Sequence, residues 1–394
     1  MSTDVKPSPP RAVADQAAHP IVLTGQVSTT NTSPIAQIKR EFGPQHLSVL
    51  TLFVSPVADF EGVVSEALRH YPDTDVVACT TAGEISASGY DESKIIAVGF
   101  PSAGFATTSL MIEDIHQLNP QALTDRVALE RVKLQDLNRD MPNGFALLVV
   151  DGLSLAEDAL TAVISPALRD MPLFGGSAGD GTDFRQTRVS LNGKVAANAA
   201  VLTLVRSVYR THVFSLDHLA PTEHQMVVTE ADPARRIVKS INAEPAAPEY
   251  ARIVGKDPAQ LDRFTFASHP VVVRIGGTHH VRAIQQVNED GDLVFFSAID
   301  EGMVLTTAVP ENMVAHLSRK LAELSGNGPP AHIIGCDCIL RRIEAEQTQM
   351  TRDLSEILSA HNVIGFSTYG EQIGPLHVNH TMSGVAIYAA DETR

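Results

Sequence analysis

Residues 47–54 read LSVLTLFV, residues 59–70 read DFEGVVSEALRH and residues 76–79 read VVAC. The outer two runs are short, apolar and rich in β-branched residues, as buried strands are. In the middle run Phe60, Val63, Val64 and Ala67 form one helical stripe. Asp59 stands where an N-cap is expected, and Pro72 follows the end. Strand, helix and strand in so short a span predict a βαβ-like unit and hence a mixed α/β sheet.

Downstream, runs at 95–100, 146–150 and 199–205 read as further strands and 157–167 as a second helix, its end disturbed by Pro166. Beyond residue 213 the texture changes. Strands are expected at 227–228, 271–275, 281–287, 293–298 and 303–307, with a hairpin-type turn at 288–291 (NEDG). A helix over 311–324, a strand over 333–339, a helix over 342–359 and a terminal hairpin with a strand over 377–388 complete the reading. The expected fold is mixed α/β and α+β, two domains with mixed β-sheets flanked by helices. Residues 1–40 are expected as a disordered leader, 41–225 as the first domain and 226–394 as the second, the boundary lying near 212–240.

The chain has 394 residues, with 30 Lys and Arg against 46 Asp and Glu, a net charge of −16. Phosphate neutralisation needs clustered cations, so this balance argues against a nucleic-acid partner and against a polybasic membrane surface. No stretch approaches the ~18–20 apolar residues of a membrane span, and the start lacks the apolar core of a signal peptide. A cytoplasmic protein is expected. Three cysteines, Cys79, Cys336 and Cys338, do not make a disulfide scaffold. Fifteen histidines against no tryptophan is the odd feature of the composition, because His is the commonest metal ligand and the neutral-pH proton carrier.

Two stretches, VVACTTAGE at 76–84 and MPLFGGSAGD at 171–180, share one device: apolar residues, small hydroxyl or Gly residues, then Ala-Gly-acid. Small residues there let backbone N–H groups approach something closely, or serve turn geometry alone. Gly175–Gly179 satisfies G-x-S-x-G around Ser177, but Asp180–Phe184 (DGTDF) does not begin a convincing helix, so a nucleophile elbow is disfavoured. Neither a P-loop nor a G-x-G-x-x-G fingerprint is present. His332, Cys336 and Cys338 could share a strand face, yet their spacing is not that of structural zinc. They read more simply as a lone His and two small buried thiols. His377 and His380, three apart, would face opposite sides of a strand and so not share one metal. His279 and His280 have the same limitation.

LFVS at 52–55, CTTAGEI at 79–85 with Gly89-Tyr90, and FGGSAGD at 174–180 resemble the N-terminal FIST domain. Tyr250, Glu301-Gly302, CDCILRR at 336–342 and residues 365–381 (GFSTYGEQIGPLHVNHT) resemble the C-terminal FIST domain. The last two motifs look like the NosP branch of nitric-oxide sensors. The resemblance implies a ligand-binding sensory protein and no enzyme. It implies heme b with its iron, nitric oxide as ligand, and regulation of a histidine kinase or a diguanylate cyclase/phosphodiesterase in two-component signalling linked to biofilms. A homodimer is compatible with it. Without C-x-x-C-H the heme would be bound non-covalently. His377 is favoured as the iron ligand because it lies inside the matching H-V-N-x-T motif, with His380, His332 and His212 behind it. Cys336 or Cys338 is a rival as thiolate ligand or redox-sensitive thiol. Glu371 is a further binding candidate, and Glu84, Asp180, Arg341, Arg342 and Glu371 could instead tie the domain interface together. The alternative within the family is a sensor of another small ligand, such as an amino acid.

Overall fold

The computed structural model describes residues 20–389 other than 276 and 327. Its helices, among these residues, are α1 (Pro34–Phe42), α2 (Phe60–His70), α3 (Pro120–Leu137), α4 (Glu157–Leu168), α5 (Ala246–Val254), α6 (Arg263–Ser268), α7 (Met313–Leu324), α8 (Ile339–Gln347) and α9 (Thr351–Ala360). The opening stretch folds as its pattern dictates. The Asp59 carboxylate accepts from Gly62 N at 3.1 Å and caps α2, a contact type contributing about 1 kcal/mol. Phe60, Val63, Val64 and Ala67 are buried, and Leu47–Val54 runs parallel to Asp75–Thr80, with Leu52 opposite Ala78.

That unit occurs three times. In the first, Leu23–Ser28, α1, Leu47–Val54, α2, Asp75–Thr80 and Lys94–Pro101 follow in order. In the second the order is Phe105–Ile112, α3, Asn143–Val150, α4, Leu173–Ser177 and Ala200–Ser207. The third runs Thr211–Leu216, α7, Pro330–Cys338, α8 and α9, Val363–Thr368 and Met382–Tyr388. Each has one central parallel pair flanked by an antiparallel strand, because only the helical crossover can return the chain in parallel. Between its parallel strand and its last strand, each unit makes a short hairpin and gives it to a neighbour. Glu84–Ser86 with Gly89–Asp91 completes the third sheet, Val189–Leu191 with Lys194–Ala196 the first, and Glu371–Ile373 with Leu376–Val378 the second. The three sheets are thus closed by cyclic exchange. A fourth sheet, built from strands between Leu219 and Pro310, is inserted into the third unit between its first strand and α7.

Where the chain enters each hairpin, the sequence is TTAGE (80–84), GSAGD (176–180) or STYGE (367–371). The three loops bond to one another through the backbone. Ala82 N donates to Ser367 O, Ser367 N to Gly83 O, Gly179 N to Thr80 O, Ser177 N to Gly370 O and Tyr369 N to Ser177 O. Around them one apolar core draws on all three units. Phe53 of the first stacks on Phe366 of the third at 4.4 Å, and Phe145 packs on Phe174 within the second. Full burial of such a ring contributes about 1.5–3 kcal/mol.

Several expectations change. Within the expected leader, residues 20–40 are ordered as the strand Leu23–Ser28 and most of α1, whose Ile35 and Ile38 are buried; residues 1–19 lie outside the described residues. The boundary expected at 225/226 falls inside the strand Leu219–Asp232, which pairs with both Val304–Pro310 and Ile237–Ile241 and so cannot be a linker. The helix expected over 342–359 is two helices, α8 and α9, separated at Gln349, whose φ is 58°. The strand expected over 377–388 is also two. Leu376–Val378 lies in the second sheet and Met382–Tyr388 in the third, the chain turning at His380 with φ 57°.

Exchanged hairpins make the three units interdependent, so their central strands should open together. Native-state hydrogen exchange should give the best-protected amides of Leu47–Val54, Asn143–Val150 and Pro330–Cys338 one opening free energy within about 1 kcal/mol. A unit exchanging well below the other two would contradict the interlock.

Candidate functional site

The acid that ends each exchange loop is held by hydroxyls. Glu84 accepts from Thr81 and from Lys94 N. Asp180 accepts from the Tyr369 hydroxyl and from the N–H groups of Phe184, Arg185 and Gln186, which ties a second-unit loop to the third unit. Glu371, fully buried, accepts from Thr368 Oγ1 and from Thr381 Oγ1 at 2.6 Å. Burial raises the Glu371 carboxyl to about 8 against these bonds, so it is protonated at neutral pH. The backbone N–H groups of the small-residue loops therefore serve the neighbouring loops.

His377 lies 1% exposed on Leu376–Val378. Gln372 Nε2 lies 3.2 Å from its Nδ1 and donates to Ser177 Oγ at 3.0 Å, which fixes the ring through its Nδ1 side. The ring's Nε2 has no hydrogen-bond partner. It faces Gly370, where φ is 149° and any Cβ would stand 2.3 Å from His377 Cε1 and 2.8 Å from Nε2. An axial heme ligand needs a lone pair directed at a flat apolar slot. Here the space before Nε2 is Gly370 backbone and not an open slot, so His377 as placed does not fit a heme. Ser177 is buried at the end of its strand, and a loop rather than a helix succeeds it.

His380 turns away from His377. Its Nε2 meets Glu344 Oε2 at 2.8 Å, and His218 Nε2 meets the same carboxylate at 3.0 Å. Two imidazoles and one carboxylate, with ligand atoms within 4.8 Å of one another, form the donor set that non-heme iron favours. A metal-bound imidazole keeps an N–H on its other nitrogen for an outer acceptor. On His218 that nitrogen, Nδ1, faces a donor instead, Arg341 Nη1 at 2.8 Å. The set therefore closes as a charge network. Arg341 Nε also reaches Asp337 at 2.7 Å, and Tyr90 of the first unit donates to Asp337. Burial brings His218 down to about 4. Burial would raise Glu344, but bonds from His218 and His380 outweigh it and hold that carboxyl at about 2. Arg342 bridges to Asp91 O and Glu92, and any Cβ at Gly83, where φ is 124°, would strike its guanidinium.

Cys336 and Cys338 are buried, and burial pushes both thiols well above their usual range. Both are enclosed by the core and closed to solvent, as small apolar residues are. His332 is half-buried on Pro330–Cys338, and His212 is exposed on the edge strand Thr211–Leu216. Thus the structure gathers Glu371, Gln372, His377 and Ser177 around one exchange loop, places His380 in a separate network and leaves His332 and His212 apart from both.

A different place carries no signal in the sequence. A cavity of about 680 Å³ lies between the inserted sheet and the second unit. Phe184, Phe266, Phe295 and Phe296 line it together with Arg236, Arg263 and Asp183. Phe184 stacks on Tyr369 at 4.4 Å, so one wall leans on the exchange loop. Its lining contains no His, Cys, Tyr or Met among the described residues, so it holds no axial heme ligand either. The lining is scattered over more than a hundred residues with no shared motif, and only folding collects it.

Between about pH 4.5 and 8 the folded chain keeps on Glu371 a proton that the unfolded chain has already released. This contribution is complete below that window and is lost as the pH rises through it. Glu371→Gln keeps the shape without the ionisation. Between pH 5 and 8 the stability of the wild type relative to this variant should fall by up to about 1.4 kcal/mol per pH unit, read from denaturation midpoints. Parallel profiles would contradict a buried neutral acid at this position.

Comparison with known proteins agrees with the motifs. The FIST N domain matches residues 48–244 and the FIST C domain residues 246–374. No curated protein matches the chain. With the first match alone spanning half its length, the chain belongs to the FIST family, whose domains are signal-transduction sensor domains thought to bind small ligands.

Proposed function

We propose that this chain senses a small amphipathic carboxylate of the amino-acid class, bound in the cavity between the inserted sheet and the second unit. The cavity itself carries the reading. Its volume suits a small organic ligand, and four phenylalanine rings offer an apolar bed. Asp183 and Arg263 supply one anion and one cation that make no ion pair among the described residues, while the third such lining charge, Asp262, is committed to capping α6 through Phe264 N and Thr265 N. A zwitterion with an apolar side chain matches that inventory. The signal passes to a partner of the kind the resemblance implies, a histidine kinase or a cyclic-di-GMP enzyme.

The heme and nitric-oxide reading rests on the NosP resemblance and on the unpartnered Nε2 of His377; the donor geometry speaks against it. Two measurements separate the readings. Against a panel of the twenty amino acids, at least one apolar member should raise the melting temperature by several degrees, since ligand at 100 times Kd stabilises by about 2.7 kcal/mol. Heme titration should give no Soret band that depends on His377. Absence of any amino-acid shift overturns the proposal, and a Soret band abolished by His377→Ala favours heme in its place.

A further inference from the structure

Arg236 is the charged residue that both lines the cavity and is almost fully buried, at 3% exposure. It stands in the inserted sheet's part of the chain and reaches across to the first turn of α4, where its Nη2 binds Glu157 at 2.7 Å and Asp158 at 3.2 Å. Nη1 donates to Phe296 O. A guanidinium has five N–H donors, so two remain without a partner among the described residues. The Arg236 backbone is left-handed, with φ 56°, and so are two other lining residues, Leu155 at 57° and Phe184 at 53°. Bulky side chains rarely adopt that region, and such residues cluster where a ligand is clamped.

Behind this wall lies an anomaly. Arg282 is 5% exposed, yet it makes no ion pair among the described residues. Its Nη1 reaches only two carbonyls, Val281 O at 3.3 Å and His377 O at 3.4 Å, and its Nε has no partner. Burial weakens its charge, Asp158 supports it, and Arg236 opposes it. Fully buried arginines are ordinarily paired. Two arginines and two carboxylates share this region, and one arginine pairs with both acids, Asp158 also accepting from Ala298 N at 3.0 Å.

We propose that Arg236 reads the ligand's carboxylate and that Arg282 receives the carboxylates Arg236 gives up. This rests on the cavity being the ligand site and adds the chemistry by which it is read. A ligand carboxylate first meets the two open donors of Arg236. It places a third negative charge on a guanidinium already holding two, which weakens the hold on Glu157 and Asp158. Asp158 then turns to Arg282, whose release of His377 O reaches the exchanged hairpin Leu376–Val378. Ligand occupancy thereby alters the link between α4 and the third unit, where a partner can read it.

The test compares L-phenylalanine with L-phenylalaninamide, which lacks the carboxylate, by calorimetric titration of the full chain. The amide should bind at least ~10-fold more weakly, the scale of a lost charge-assisted hydrogen bond. Arg236→Gln alone strands Glu157, so the paired variant Arg236→Gln with Glu157→Gln is used, and it should abolish the preference for the acid. Arg282→Met should leave the free protein at least as stable, because a buried unpaired charge is removed. It should weaken L-phenylalanine several-fold while leaving the amide unchanged. Equal binding of acid and amide, or a preference surviving in the paired variant, overturns the role of Arg236. Unchanged L-phenylalanine affinity in Arg282→Met overturns the exchange alone. If neither probe binds and no amino acid shifts the melting temperature, the ligand reading itself falls, and the exchange with it.

Discussion

The loops 80–84, 176–180 and 367–371 bond to one another by their main chains, and this ring underlies the arrangement of the three units. A buried amide or carbonyl left without a partner costs free energy on the scale of a lost hydrogen bond. None of the three loops can therefore leave without stranding groups on the next. The loops are composed largely of Ser, Thr, Ala and Gly because their backbones must come this close. Each sheet's outer hairpin then comes from a neighbouring unit, which covers an edge that would otherwise be open.

The buried charges are arranged on this frame. Tyr90, Asp337, Arg341, His218, Glu344 and His380 come from separate parts of the chain and satisfy one another in the interior. Such networks contribute little net stability compared with apolar packing, because desolvation offsets their attraction, but losing one partner is costly. Their effect is to hold α8 against the first unit and the His380 turn in one register. The Arg236 cluster differs. Its charges balance in number, but the pairing is lopsided, and it borders the cavity rather than the frame.

The stretch 47–80 was legible because one helical stripe and two β-branched runs leave few alternatives, and the α2 cap is local. Two of the three exchange loops also showed as a shared pattern. The third, STYGE, differs from the others where Tyr369 replaces a small residue, and its ring packs against Phe184. The continuous strand read through 377–388 failed for a tertiary reason. His380 leaves the β region to reach Glu344, and nothing nearby in sequence marks that turn. The 226 boundary failed similarly, since strands of the inserted sheet pair on both sides of it.

Local sequence is enough to set most of the elements, the family and the residues around which the chain closes, since periodicity, caps and small-residue loops act over a few positions. Only the packed chain settles that three units exchange hairpins, that His377 and His380 have separate partners, and that a cavity forms between the second unit and the inserted sheet. Those outcomes depend on which distant groups remain to satisfy a buried hydrogen bond, charge or apolar face, and no short stretch of chain contains both partners.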